Sequence, residues 1–218
     1  MPTNLRTIFQ ENKFYGIGFI IWLFLGAALI FGTEKGDVLL FFNDHRSYYG
    51  DLFFRYATMA GEEIAYVLIL IFLLLYQPRA AWLVPITGGV VMLFSKGLKK
   101  IFRQNRPVAW FRELDLFETL NVIDGEPLFS GASSFPSGHT MSAFALFGLL
   151  ALLIPQKKGV GLLILLIAII VGISRVYLIH HFFMDIYAGS IIGTLLALVI
   201  YQLWNWKLSR EKIRKNTV

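Results

Sequence analysis

Six runs of apolar residues, separated by polar stretches, divide the chain from end to end. Each run has about the 17–25 residues that a helix needs to cross a bilayer, or falls short of that by about a turn. The pattern therefore predicts an all-α protein, a bundle of six transmembrane helices. The predicted helices cover residues 14–32, 62–76, 80–101, 139–154, 159–178 and 182–203.

The first run, FYGIGFIIWLFLGAALIFG, is long for a signal peptide and is followed by no clear A-x-A cleavage site, so we interpret it as a retained helix. Gly189 and Gly193 form a GxxxG pair in the last run, a spacing typical of close helix packing. The chain has no repeat, low-complexity tract or linker. We therefore predict one domain over residues 1–218, with a core at about 14–203 and a short basic tail at about 204–218.

Composition supports a membrane protein, because 56% of the residues are hydrophobic and only 16% are charged. Soluble domains have roughly 45–50% apolar and about 25% charged residues. The net charge of +6 would suit a nucleic-acid-binding protein. In a membrane chain, however, basic residues more often set the topology, so we expect no nucleic-acid partner. The absence of cysteine excludes disulfides and thiolate metal sites.

Six spans would place both termini on the same side of the membrane. The basic residues divide evenly between the two sides, so their number alone does not fix the orientation. If the termini are cytoplasmic, the inner segments carry only Glu11 and Glu211 as acids, and the very short inner loop PQKKG is basic. We therefore predict a multi-pass protein of the inner (cytoplasmic) membrane with both termini cytoplasmic. The long segments 33–61 and 102–138 would then face the periplasm or cell exterior.

The third run ends in KGLKKIFRQNRP, which holds the first candidate residues. Lys99 and Arg106 are two helical turns apart, so they share a face if the helix continues to Pro107. Taken alone, this block is more simply explained as a collar of basic side chains that reach the membrane surface.

The fifth run leads into SRVYLIHHFFMD. Arg175 ends an apolar run, where ionisable residues are costly and usually functional. His181 and Asp185 are four residues apart and face the same way if the sixth helix begins near His180. The aspartate would then accept the histidine N–H, fix its tautomer and raise its basicity, while His180 would point elsewhere. A structural His–Asp pair explains this block equally well by itself.

The sequence PSGH precedes the fourth run. Pro136 suits the start of a helix, and Ser137 and Gly138 suit its first turn. A helix N-terminus offers free N–H groups and partial positive charge to an anion, and Gly138 permits close approach. His139 would stand beside that anion. In isolation, a capped helix start with an interfacial histidine is the more ordinary explanation.

All three blocks fall on one predicted membrane face. Together they supply cations, helix N–H groups, two histidines and an aspartate, the groups that phosphoryl transfer requires. No carboxylate cluster indicates bound Mg²⁺, so we expect no metal and no cofactor.

On these blocks the chain resembles the type 2 phosphatidic acid phosphatase superfamily, which includes membrane lipid phosphatases and soluble vanadium haloperoxidases. The family pattern is KxxxxxxRP, PSGH and SRxxxxxHxxxD. This chain matches it from Lys99 to Pro107, from Pro136 to His139 and from Ser174 to Asp185.

The resemblance implies a role for each matching residue. His181 would attack phosphorus, Asp185 would orient and stabilise His181, and His139 would protonate the leaving oxygen and then activate water. The phosphoryl oxygens would be held by Lys99, Arg106, Ser137, Gly138 and Arg175. His180 is not required by the pattern.

The function implied is a metal-independent membrane phosphatase that removes phosphate from a lipid by way of a phosphohistidine. The resemblance does not select one substrate. The candidates are undecaprenyl diphosphate, phosphatidylglycerophosphate, phosphatidate and lipid A phosphate. The oligomeric state is undetermined. A phosphotransferase using the same intermediate is the alternative. A non-catalytic scaffold that binds anionic lipid through the basic tail is disfavoured by the complete motifs, and a haloperoxidase by the membrane spans.

Overall fold

The computed structural model describes residue 8, residues 10–154 and residues 159–216, and the regular structure in these ranges is entirely helical. Two short 3-10 turns, Thr58–Gly61 and Phe117–Thr119, accompany the α-helices. Arg6 and the loop 155–158, on which part of the orientation argument rests, lie outside the described residues. The helices are α1 Lys13–Gly32, α2 Asp37–Asp44, α3 Tyr48–Ala57, α4 Glu63–Tyr76, α5 Pro78–Ala81, α6 Leu83–Phe102, α7 Pro107–Glu113, α8 Gly138–Leu153, α9 Val160–Tyr177 and α10 Phe183–Asn216.

The apolar helices make this a multi-pass membrane protein. Among the described residues, four helical stretches are long and apolar enough to cross a membrane: Lys13–Gly32, Pro78–Glu113, Val160–Tyr177 and Phe183–Glu211. A fifth forms if Tyr48–Gly61 and Glu63–Tyr76, which meet at 55°, act as one broken span. The remaining apolar helix, α8, has 16 residues. At 1.5 Å per residue it is shorter than the roughly 30 Å hydrocarbon layer, so the count of six spans stays a prediction.

Helix α8 lies at the centre of the bundle and is buried along most of its length. It packs chiefly against α10, where a Cβ added to Gly189 would lie 2.8 Å from the Ser137 carbonyl oxygen. A Cβ added to Gly193 would lie 2.5 Å from the Met141 carbonyl oxygen. The GxxxG pair therefore brings the two backbones into contact, as its spacing predicted.

The outer surfaces of α1, α4 and α6 carry large exposed hydrophobic side chains. Phe31 is 91% exposed, Leu75 is 84% exposed and Leu93 is 68% exposed. Such surfaces are stable against lipid, where an apolar side chain loses nothing by facing outward. The basic tail predicted after residue 203 continues α10 as helix to Asn216.

Both long polar segments contain helices rather than only loops. Segment 33–61 forms α2, α3 and the Thr58–Gly61 turn, and Pro107–Glu113 opens the second segment as α7. The two segments are tied together, because Asn43 Nδ2 donates to the Asn121 carbonyl at 2.9 Å and Arg55 Nη2 donates to the Asp124 carbonyl at 2.8 Å. They form a cover over one end of the bundle.

Candidate active site

The structure brings all the predicted site residues to the end of the bundle where α6 and α9 end and α8 and α10 begin. The gathered residues are Lys99, Arg106, Ser137, Gly138, His139, Arg175, His181 and Asp185.

Lys99 and Arg106 reach the site by a different route from the one predicted. Helix α6 ends at Phe102, and Arg103 adopts the left-handed conformation with φ 46°, so the helix does not continue to Pro107. Arg106 lies in extended backbone, where its N–H donates to the Gly131 carbonyl at 2.9 Å. Its guanidinium donates to Ser133 Oγ at 3.1 Å and to the His180 carbonyl at 3.2 Å.

His181 and Asp185 are paired, although the condition under which they were expected to share a helical face, a helix start near His180, is not met. Helix α10 begins at Phe183, and Asp185 Oδ2 accepts the Phe182 N–H at 2.9 Å across the preceding turn. The same oxygen lies 3.3 Å from His181 Nδ1. The contact is therefore made by a turn that folds back onto the first turn of α10.

Ser134 completes this pair and was missed by the sequence reasoning. It is fully buried, and its hydroxyl donates to Asp185 Oδ2 at 2.5 Å. Ser134 lies outside the three motif blocks, two residues before Pro136, so motif spacing does not point to it. The Ser137 N–H donates to the Asp185 carbonyl at 3.0 Å, which joins the second block to the third.

Burial lowers the pKa of His181 to about 4, with Asp185 acting in the opposite direction. His181 is therefore neutral near pH 7. With Nδ1–H directed at Asp185, Nε2 carries the free lone pair, which is the form a nucleophilic imidazole needs.

The start of α8 has backbone N–H groups that make no intrahelical hydrogen bond. Ser137 is the N-cap rather than part of the first turn, and its Oγ accepts from the Thr140 N–H. The N–H groups of Gly138 and His139 precede the first intrahelical hydrogen bond. A Cβ on Gly138 would lie 2.9 Å from Ser95 Oγ and 3.8 Å from Lys99 Nζ. The absence of a side chain at Gly138 therefore lets the start of α8 approach α6 closely, beside Ser95 and Lys99.

Arg175 is buried to 3% exposure and donates from Nη1 to Thr58 Oγ1 at 2.6 Å. Its Nε has no hydrogen-bond partner within the described ranges. A buried cation with an unsatisfied donor is costly unless an anion compensates it. Arg175 therefore fits the predicted phosphate-binding role.

Two further contacts come from outside the motif blocks. Thr58 contacts Arg175, and Glu62 Oε1 lies 3.2 Å from His139 Nε2. Both residues are more than 70 positions from their partners, and no local spacing relates them.

His180 is buried, and it points away from Asp185 as predicted. Its Nε2–H donates to the Pro127 carbonyl at 2.9 Å, and its ring lies edge-on to Phe129 at 4.8 Å. His180 therefore attaches segment 102–138 to the turn before α10.

Among residues 10–154 and 159–216, no group of three or more His, Asp or Glu side chains could hold a metal ion. The expectation of a metal-independent reaction stays a prediction.

The geometry defines a class: a multi-pass helical membrane protein with two histidines, an aspartate and three cationic side chains gathered at one end of its bundle. The chain belongs to the PAP2 superfamily, whose family model matches residues 79–209. That span contains all three motif blocks.

Individual relatives agree with this membership. The chain is 33% identical over 134 residues to phosphatidylglycerophosphatase B of Bacillus subtilis, which covers 56% of this chain and 58% of the relative. The matching region therefore covers less than two thirds of the length of these curated relatives.

Solved structures share the fold. The crystal structure of LpxE from Aquifex aeolicus matches with a TM-score of 0.64 and 25% identity, covering 76% of this chain and 93% of that one. A transmembrane PAP2 type phosphatidylglycerolphosphate phosphatase from Bacillus subtilis matches with a TM-score of 0.60 and 23% identity, covering 91% of this chain and 96% of that one.

Proposed function

We propose that this chain is a membrane phosphatase that removes phosphate from a lipid phosphate or diphosphate through a phosphohistidine on His181. The observation that carries the proposal is the buried His181–Asp185 pair, with a 3.3 Å contact, beside a guanidinium whose Nε has no hydrogen-bond partner within the described ranges. The names of the relatives, a phosphatidylglycerophosphatase and lipid phosphate phosphatases, support the same substrate class.

In the first step, the lone pair of His181 Nε2 forms a bond to phosphorus as the bond from phosphorus to the lipid oxygen breaks. A proton from His139 goes to the leaving oxygen. Arg106, Arg175 and Lys99 hold the phosphoryl oxygens as negative charge builds on them, which is the part of such reactions that fixed charges stabilise most.

In the second step, His139 takes a proton from water and the resulting hydroxide attacks phosphorus. The phosphorus–nitrogen bond breaks, and inorganic phosphate and neutral His181 are released. Asp185 keeps the Nδ1–H of His181 in both steps, and so holds the ring in one tautomer throughout.

Phosphate release from a panel of lipid phosphates in detergent tests the proposal. We expect release by the wild-type protein in the presence of EDTA, because cationic side chains replace a metal, and inhibition by vanadate, which adopts the five-coordinate geometry of phosphorus in the transition state. An absolute Mg²⁺ requirement would contradict the mechanism. Transfer of phosphate to an added lipid alcohol, with no inorganic phosphate formed, would instead identify a phosphotransferase.

We also propose that the site faces the periplasm or cell exterior and that both termini are cytoplasmic. The chain has no cysteine, so single cysteines report directly on orientation. Ser130 and Glu211 are both exposed and lie near opposite ends of the bundle. An impermeant thiol reagent on intact cells should label Ser130→Cys and spare Glu211→Cys. The reverse pattern would place the site in the cytoplasm.

A further inference from the structure

The segment that joins α3 to α4 belongs to none of the three motif blocks, yet it contacts two of them. Residues Thr58–Gly61 form the 3-10 turn at the 55° bend, and Glu62 follows in extended conformation with φ −109° and ψ −173°. Glu62 is also the N-cap position of α4. Its carboxylate is therefore carried by backbone that turns sharply at the edge of the site.

Close packing fixes this segment in place. A Cβ on Gly61 would lie 2.6 Å from Val171 Cγ1 and 3.2 Å from the His139 carbonyl oxygen, so only glycine allows the turn to sit this close to α8 and α9. The hydrogen bond from Arg175 to Thr58 adds a polar attachment on the same turn. The position of Glu62 relative to His139 follows from these contacts.

The contact between Glu62 and His139 is not explained as a stabilising surface pair. Both side chains are 36% exposed, and ion pairs with this much solvent contribute little to stability, typically about 0–1 kcal/mol. The contact has a chemical consequence instead. A carboxylate on Nε2 selects the tautomer that carries its proton there, which leaves Nδ1 as the second nitrogen of the ring.

We propose that Glu62 is the positioning residue for His139, as Asp185 is for His181; this inference rests on the proposed phosphatase function. Glu62 accepts the Nε2–H of His139, and the ring exchanges protons with the reactants through Nδ1. In the first step Nδ1–H gives its proton to the leaving lipid oxygen. In the second step Nδ1 takes a proton from water, and Glu62 remains a carboxylate throughout.

The charges around His139 make this partner necessary. Arg175, His181, Lys99 and Arg106 all act electrostatically on the ring, from α9, the turn before α10, α6 and the segment before α7. A protonated His139 would thus stand among three cations. Glu62 supplies the negative charge in direct contact with it, which allows the ring to carry a proton into the reaction.

Glu62→Gln tests the inference, with Glu63→Gln as the matched control because Glu63 is the next residue and is exposed. Two substrates separate the steps: phosphatidate, whose alkoxide needs a proton to leave, and p-nitrophenyl phosphate, whose phenolate does not. We expect Glu62→Gln to lower kcat on phosphatidate by about tenfold or more, within the roughly 10²–10⁴-fold worth of the proton transfer itself, with little change in KM.

On p-nitrophenyl phosphate the same variant should keep a rapid burst of p-nitrophenolate and then turn over slowly, because only the second step needs His139 as a base. On phosphatidate, where His139 acts as an acid in the first step, the alkaline limb of the pH–rate profile should move to lower pH in Glu62→Gln. Glu62→Asp, which keeps the charge, should recover part of the rate. The burst also shows that the variant is folded and that His181 still reacts.

An unchanged kcat on phosphatidate, an equal loss in Glu63→Gln, or a Glu62→Gln protein without the burst would overturn the inference. Failure of the proposed function is a separate result, since it would appear as a wild-type protein that releases phosphate neither from any lipid of the panel nor from p-nitrophenyl phosphate.

Discussion

The two histidines of the site lie in different surroundings. His181 is buried to 1% exposure, and the Asp185 oxygen that it faces also accepts hydrogen bonds from Ser134 and the Phe182 N–H. The side chain of His139 is 36% exposed. Within the described ranges, its imidazole ring makes one hydrogen bond, to Glu62.

The difference matches two kinds of chemistry. A nucleophile benefits from a fixed orientation and exclusion of water, whereas a group that exchanges protons with the leaving oxygen and with water must remain accessible. The predictions on His181, on His139 and on the pH dependence test this division of roles, and the other two concern Lys99, which serves both steps, and His180, which lies outside the reaction.

The largest effect is expected at the buried histidine. His181→Ala removes the atom that bonds to phosphorus, so phosphate release should fall by more than the roughly 10²–10⁴-fold that proton transfer accounts for. The exposed His45, outside the motif blocks, provides the control His45→Ala, which should behave like the wild type. Near-native release by His181→Ala would show that another group is the nucleophile.

His139→Ala should be selective in a way that His181→Ala is not. We expect a loss of about 10²–10⁴-fold on a lipid phosphate. With a substrate whose leaving group needs no proton, a phosphoenzyme should still form and then persist, because water is no longer activated. A phosphate label on His181 that is labile in acid and stable in alkali would identify this phosphoenzyme. If the variant formed equally little phosphoenzyme from both types of substrate, the division of roles would be contradicted.

Lys99→Gln should slow both steps to a similar extent, since the phosphoryl oxygens are present in each. Removing one preorganised contact of this kind costs about 10²–10³-fold in rate. Lys100→Gln is the control, because Lys100 is the next residue on α6 and is exposed. If the two variants lost activity equally, the lysines would act only through general surface charge.

The pH dependence of kcat/KM should reflect the buried histidine on its acid side. Because the pKa of His181 is lowered to about 4, its neutral nucleophilic form persists well below the usual histidine value of about 6.5. Activity should therefore decline as pH falls through about 4 rather than near 6.5. An acid limb near 6.5 would show that His181 is more hydrated in the working enzyme.

The smallest effect on chemistry is expected at His180. Its removal takes away the hydrogen bond to the carbonyl of Pro127, an exposed residue, and the loss of one hydrogen bond costs about 0.5–1.5 kcal/mol. His180→Ala should therefore lower the Tm in detergent by several degrees, at about 2–4 °C per kcal/mol for a chain of this size. A comparison of kcat should show less than about a tenfold loss.

The helices that could be predicted from the sequence are the long apolar ones. The first apolar run, 14–32, corresponds to α1 almost residue for residue, because a helix in lipid must satisfy every backbone group internally. The outer helices α2 and α3 were not predicted. They are short, at 8 and 10 residues, and neither contains an apolar run long enough to cross a bilayer.

The site was predictable where its residues are close in sequence and not where they are distant. His181 and Asp185 were recognised by their spacing, but Thr58 is 117 positions from Arg175 and Glu62 is 77 from His139. The expected helical register of Lys99 and Arg106 failed because Arg103 ends α6 in the left-handed conformation. Tertiary packing, rather than local preference, sets those contacts.

The backbone contact between α8 and α10 bears on how this site could be transplanted. Gly189 lies against the Ser137 carbonyl, and the Ser137 N–H donates to the Asp185 carbonyl, so the start of α8 and the aspartate that contacts His181 are held directly against each other. If only the motif side chains were grafted onto another helical bundle, their positions relative to one another would be lost. The smallest unit that could be transferred is the α8–α10 helix pair with both glycines, and lipid-facing helices of other sequence could be built around it.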